Sequence, residues 1–205
     1  MFQGAYSSQL LEDAVNQFAS LPGIGRRTAL RLALHILDEP QENVSRFVDA
    51  FRALKSDIHV CGRCFMISDD SSCPICDDRT RDHSTICVVE SVRDVLSIEN
   101  TGQYRGLYHI LGGIISPIDG IGPSDLHIRE LSERLKDGSV KEVILALSTS
   151  MEGETTSYYL CKQIGAFPVT VTTIARGVGF GDDLEYADEL TLGKSIVNRH
   201  PFNTL

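Results

Sequence analysis

Residues 61 to 76 read CGRCFMISDDSSCPIC, so four cysteines fall within sixteen residues, and only Cys87 and Cys161 lie elsewhere in the chain. The pattern is two C-x2-C turns separated by eight residues. A tetrahedral Zn²⁺ takes four thiolates at about 2.3 Å, and one C-x2-C turn delivers two of them from a single tight loop. Gly62 and Pro74 suit such turns, the first by relaxing the backbone and the second by presetting φ. The segment carries too little apolar content to fold unaided. A structural Zn²⁺ on Cys61, Cys64, Cys73 and Cys76, one per chain, is therefore expected to order it and to catalyse nothing. Three readings compete. Disulfides need an oxidising compartment, a thioredoxin-like redox pair sits where a strand meets a helix, and a catalytic zinc keeps an open ligand position. Cys87, in the run TICVVE, and Cys161, in a helical stretch, read as small core hydrophobes.

The compartment bears on that choice. The start MFQGAYSSQLLEDAVNQF lacks the basic, apolar and small-residue order of a secretory signal. No apolar run approaches the roughly 20 residues that span a bilayer. A cytoplasmic protein without a membrane partner is expected, and there thiols stay reduced. The net charge of −9 argues against a general polyanion binder. It is unevenly spread: residues 1–60 hold six Lys/Arg against seven Asp/Glu, and the remainder 13 against 21. Any nucleic-acid contact by one chain is thus local, and it weakens steeply with salt.

On either side of the cysteines the hydrophobic period differs. Before them LLEDAVNQFASL, RRTALRLALHIL and VSRFVDAFRALKSDI read as helices, with Pro40 between the second and third. In the third, Val44, Phe47, Val48, Phe51, Leu54 and Ile58 recur at spacings of three and four and build one apolar face. From about Ser84 onward TICVVE, LYHILGG, EVILALS and PVTVTTIA read as strands. They alternate with the helical stretches SVRDVLSIENTG, SDLHIRELSERLKDG and GETTSYYLCKQIGA. Alternating strands and helices predict an α/β fold, a mostly parallel sheet with helices on both faces. Ser124 is expected to cap the helix in PIDGIGPSDLHIREL.

Between the first two helices lies L-P-G-I-G. Gly23 and Gly25 allow a sharp turn with exposed N–H groups, and the helix that follows presents unpaired donors and a partial positive charge. Arg27 and Arg31, four apart, share one face beside it. From the glycines alone the alternative is a tight turn with solvated arginines. The segment nevertheless resembles a helix-hairpin-helix, which grips DNA backbone without reading sequence. With the cysteine cluster just downstream, it resembles the N-terminal half of the RecR family of bacterial recombination mediators. That family usually has G-x-G-P-K-S-A-x-R here. Arg27 stands at its lysine, Arg31 at its arginine, and Arg26 replaces its proline.

The α/β part also carries a resemblance. Glu90 ends the first strand run, and the third runs into STSMEGE with Glu152 and Glu154. Ligands in open α/β sheets gather at such carboxyl ends. The arrangement resembles a Toprim domain, the metal-binding module of topoisomerases, primases and some nucleases. Its catalytic members place two aspartates before E-G-E to hold Mg²⁺; here Ser148 and Ser150 occupy those positions. Neutral hydroxyls do not replace that charge, so Mg²⁺ binding is expected to be weak and catalysis absent. The alternative for the glutamates is solvated turn residues. RGVGFG mimics a dinucleotide loop but lacks the G-x-G-x-x-G spacing. His109, His127 and His200 pair with no nucleophile and read as structural or solvated. The tail GDDLEYADELTLGKSIVNRH resembles the RecR C-terminus, where the family makes subunit contacts.

The resemblance, from about residue 9 to residue 200, implies four parts: a helix-hairpin-helix region over 1–60, a zinc finger over 61–76, a Toprim domain over 84–179 and a C-terminal segment over 180–205. It implies a nucleoid-associated bacterial protein, not an enzyme, that clamps DNA as a dimer or tetrameric ring and works with RecO and RecF to load RecA at single-stranded gaps. Glu90, Glu152 and Glu154 become the expected RecO surface, with the zinc cluster as a hinge between the two halves. Two rivals remain: a metal-dependent Toprim nuclease or primase, and an RNA-binding zinc protein. Few aromatics in the cysteine segment speak against the second.

Overall fold

The computed structural model describes residues 8–175, 177–179 and 181–199. The chain divides between Ile58 and His59 into two compact units. The first is helical: α1 (Gln9–Ala19), α2 (Arg26–Asp38) and α3 (Gln41–Ser56). Ser8 caps α1 by accepting from the Leu11 N–H, and Pro40 directly precedes α3. The core of this unit is small. Val15, Ala29 and Ala33 are buried, with Leu11, Phe18, Ile24 and Leu30 packed partly around them. α3 buries no residue. The apolar face read from its spacing exists, but within this unit it meets water: Phe51 is 59% and Leu54 56% exposed.

The second unit begins with the cysteine segment. A two-residue ladder joins β1 (His59–Val60) to antiparallel β2 (Ile67–Ser68), and the short α4 (Pro74–Asp77) follows. Then β3 (Asp82–Val89), α5 (Val92–Asn100), β4 (Gly106–Ile110), α6 (Ile128–Leu135), β5 (Glu142–Ala146), α7 (Met151–Ile164) and β6 (Thr170–Thr173) form the body, and α8 (Glu189–Val197) closes the described chain. The four long strands are all parallel, in the order β4-β3-β5-β6. Central β3 alternates its side chains between two cores. Ile86 and Val88 join Val143 and Leu145 of β5, Leu131 and Leu135 of α6, and Leu160 and Ile164 of α7. Cys87 and Val89 join Tyr108 and Ile110 of β4 and Val95 of α5 on the other face. Helices thus cover both faces, as the alternating pattern predicts.

Three expectations are corrected. Ser124 lies in a short 3-10 turn, and α6 starts later with His127 as its N-cap, because Pro123 sets a tighter turn first. Cys161 sits on the outer side of α7 and is exposed, whereas Cys87 is buried as expected. The cysteine segment is also no free hinge. It belongs to the α/β unit, where the Ile110 N–H of edge strand β4 donates to the Cys64 carbonyl at 2.9 Å. A strand edge left open would invite pairing with another chain, and the segment covers part of it. In the glycine loop before α8, Arg176 and Phe180 lie outside the described residues, as does His200.

Candidate metal centre and nucleic-acid interface

The four cysteines meet. Cys61, Cys64, Cys73 and Cys76 are all buried, and their sulfurs lie within 4.8 Å of one another. The Cys64 and Cys73 sulfurs are 3.4 Å apart. Tetrahedral ligation at 2.3 Å requires S···S edges of roughly 3.8 Å, so the cluster has the dimensions of a closed tetrathiolate site. The turns are built as the sequence suggests, with one difference. Cys73 caps α4 by accepting from the Cys76 N–H, and Pro74 takes the first helical position. In the first turn, however, the left-handed position falls on Phe65 (φ 66°), not on Gly62. The strain is held by packing: the Phe65 ring stacks on His127 at 3.6 Å and meets His109 edge-on at 5.5 Å.

Thiol acidity in the cluster diverges. Hydrogen bonding to Cys76, with burial, pushes Cys64 far up, and burial pushes Cys73 up to about 11. For Cys61 burial acts in the same direction, but N–H groups of Arg63, Cys64 and Cys73 outweigh it and lower the thiol to about 6. A divalent cation at the centre is what allows all four to ionise together. The donor set and its dimensions fit a structural metal.

In the helical unit the hairpin takes the form the glycines require. Gly23 adopts φ +78°, a conformation that L side chains rarely accept. Gly25 is the extended N-cap of α2, with no side chain capping the N–H groups of the first turn. Arg27 and Arg31 are exposed, and no carboxylate lies within 4.0 Å of either among the described residues. Arg26 differs: it bonds Asn16 Oδ1 at 3.1 Å and ties the hairpin back to α1. The position that adds charge relative to the usual proline therefore also anchors the turn.

At the carboxyl edge of the sheet, Glu90 directly follows β3 and accepts from the Ser148 N–H after β5. Ser148 and Ser150 are hydroxyl partners at 3.0 Å, and Ser150 caps α7 through the Gly153 N–H. The glycine of E-G-E is sterically required, since a Cβ there would stand 2.2 Å from the Ser148 carbonyl oxygen. Glu154 is exposed and Glu152 half-buried on the first turn of α7. Among the described residues, the cysteines are the one group of three or more His, Cys, Asp or Glu ligand atoms drawn within 4.8 Å. Glu90, Glu152 and Glu154 do not converge in that way.

A model of the Toprim domain matches residues 84–175, one of the RecR helix-hairpin-helix matches 11–54, and one of the RecR C-terminal region matches 177–200. The chain is 57% identical over 198 residues to the recombination protein RecR of Porphyromonas gingivalis, covering 97% of this chain and 96% of that one. The chain belongs to the RecR family. RecR proteins of Parabacteroides distasonis and Flavobacterium johnsoniae are each 55% identical, over 97% and 96% of this chain and 95% and 96% of their own. No helix among the described residues is long and apolar enough to cross a membrane.

Two sets of contacts carried no signal in the sequence, although it reads His109 and His127 as structural or solvated. His109 and His127 are structural: His109 Nε2 bonds the His127 carbonyl at 2.7 Å, and His127 Nδ1 lies 3.0 Å from the Ile110 carbonyl. Their joint packing with Phe65 had no periodic signal. Arg134 of α6 turns inward and donates to the Tyr108 carbonyl at 2.7 Å.

Proposed function

We propose that this RecR-family protein is a DNA-repair and recombination mediator that binds DNA backbone and catalyses no reaction itself. The observation that carries the reading is the exposed, carboxylate-free pair Arg27 and Arg31 beside an uncapped helix start, in a hairpin matched by the RecR helix-hairpin-helix model. Unpaired N–H donors, the helix dipole and two guanidinium groups form a sequence-independent phosphate grip. One such grip is weak, and in a chain of net charge −9 it needs multiplication. Several copies around one DNA supply that through effective concentration. The exposed face of α3 supports assembly, because a soluble chain seldom leaves Phe47, Val48, Phe51 and Leu54 in water without a partner. In this reading residues 1–60 bind DNA, 61–76 hold a structural Zn²⁺, 84–179 form the Toprim part and 180–205 serve subunit contacts. The protein clamps DNA as a dimer or tetrameric ring, in the cytoplasm on the nucleoid, and acts with RecO and RecF to promote RecA loading at gaps. Glu90, Glu152 and Glu154 form the RecO-facing acidic surface.

The test is DNA binding by fluorescence anisotropy over a salt series. Arg27→Glu with Arg31→Glu should weaken binding by about 100-fold or more at low salt and reduce the salt slope. Unchanged affinity and slope would reduce the hairpin to a turn. The Toprim match keeps a second reading, a metal-dependent nuclease or primase. Against it stand Ser148 and Ser150, whose hydroxyls bond each other, that of Ser150 also capping α7, and which carry no charge for a Mg²⁺ ion. Mg²⁺- or Mn²⁺-dependent turnover abolished by Glu90→Gln would establish that reading instead.

A further inference from the structure

We propose that Arg134 is the counter-charge of the cysteine metal centre, and that this guanidinium, reaching in from α6, slows loss of the metal. The proposal rests on the reading of Cys61, Cys64, Cys73 and Cys76 as a structural metal site. Four thiolates around one divalent cation carry a net charge of about −2, and burying that charge requires donors or cations nearby. Within the segment itself the Cys76 N–H reaches the Cys73 sulfur at 3.4 Å, and N–H groups of Arg63, Cys64 and Cys73 act on Cys61. Those dipoles offset part of the charge. Arg63, inside the segment, is exposed to solvent, so screening weakens its contribution.

Arg134 is partly buried in the last turn of α6. It donates through one nitrogen to the Tyr108 carbonyl at 2.7 Å and lies 3.2 Å from His109 Nδ1. A guanidinium only donates, so Nδ1 is the acceptor and the His109 proton sits on Nε2, directed at the His127 carbonyl. His109 is thereby fixed as a neutral orienting group, and burial holds its pKa down to about 3. The next strand residue, Ile110, is the one that bonds the Cys64 carbonyl. The Phe65 ring, between the two cysteine turns, packs against both His109 and His127. Three consecutive residues of β4 thus connect the guanidinium to the cluster.

The charge on Arg134 has no carboxylate to answer it. None lies within 4.0 Å among the described residues, and those sharing its cleft are engaged elsewhere. Glu133 bonds Lys136, Glu130 faces Arg129, and Asp137 accepts from Ser139. Gly62 and Arg63 of the first cysteine turn line the same cleft as Arg134, so the guanidinium stands beside the cysteine segment, and burial pulls it below its ordinary pKa. The Tyr108 carbonyl and His109 are neutral acceptors and offset only part of the cost of taking this cation out of water, and the thiolates supply the rest. In metal sites such outer partners commonly tune affinity by 10–100-fold.

The experiment compares metal release to excess chromogenic chelator from the full-length wild type, Arg134→Met and Arg134→Lys, with circular dichroism as the fold control. Arg134→Met should release metal at least about tenfold faster, and Arg134→Lys, which keeps the charge, should stay within about threefold of wild type. Equal release from wild type and Arg134→Met overturns the proposal. So does equally fast release from the Met and Lys variants, which would make Arg134 a clamp on the Tyr108 carbonyl. If Arg134→Met does not fold, metal titration of Arg134→Lys decides: wild-type affinity upholds the counter-charge, and a tenfold loss overturns it. A wild-type protein that neither carries nor takes up metal would instead remove the reading of the cysteines on which the proposal rests.

Discussion

The two units of this chain solve the burial problem in opposite ways. In the α/β unit, β3 has cores on both faces, and its buried residues include Tyr108, Leu131, Leu135 and Leu160. Among the described residues of the helical unit the buried set is Val15, Ala29 and Ala33, all small, while the largest apolar side chains of α3 stay outside. A parallel sheet covered on both faces completes its own core, whereas three short helices around two alanines and a valine do not. The difference is that the first unit leaves its large apolar side chains uncovered within itself. The exposed arginines of the hairpin and the exposed aromatics of α3 both lie on this unit.

The sharpest way to break this comparison is to attack the part of the α/β unit that is not self-sufficient. Cys76→Ala should abolish binding of close to one zinc per chain, read by elemental analysis, and lower Tm by about 10 °C or more. Zinc-free wild type with an unchanged Tm would mean that the segment folds on its few apolar contacts alone. Next in size, Phe51→Glu should leave the α/β unit folded but shift sedimentation at micromolar concentration to a lower mass, because a buried charge at a central contact costs about 2 kcal/mol or more. An unchanged mass would show that the α3 face is not a subunit contact.

Within the α/β unit, Gly153→Ala should lower stability by about 1–3 kcal/mol, read by urea unfolding, because its Cβ meets the Ser148 carbonyl. A neutral result would mean that the turn after β5 relaxes freely. The smallest effect on the protein itself is expected from Glu152→Ala with Glu154→Ala: Tm within about 2 °C of wild type, with RecO affinity lowered several-fold in calorimetry. Retained affinity would return these glutamates to the solvent.

Local chemistry made much of this legible. The two C-x2-C turns, the glycine hairpin and the alternation of β-branched runs with helical stretches are short-range signals. Each fixes a turn or a period without knowledge of the rest of the chain. What failed depended on distance. Cys161 reads as core from its composition, but which side of α7 faces the sheet is decided by packing, and its helix neighbours Leu160 and Ile164 took that side. Ser124 has a cap's chemistry, yet Pro123 turned the chain before the helix began.

By itself, then, the sequence determined that four thiols would fall on two turns, that Gly23 and Gly25 would open a hairpin beside Arg27 and Arg31, and that a parallel sheet would follow. Only the tertiary structure decided that the cysteine segment docks on β4, that Phe65 bears the left-handed turn, and that Arg134 faces inward without a carboxylate. The physical reason is one of range. Turns and periods arise from neighbours along the chain, whereas a buried charge acquires its partners from residues brought together by folding, here Arg134 of α6 and the Tyr108 carbonyl of β4.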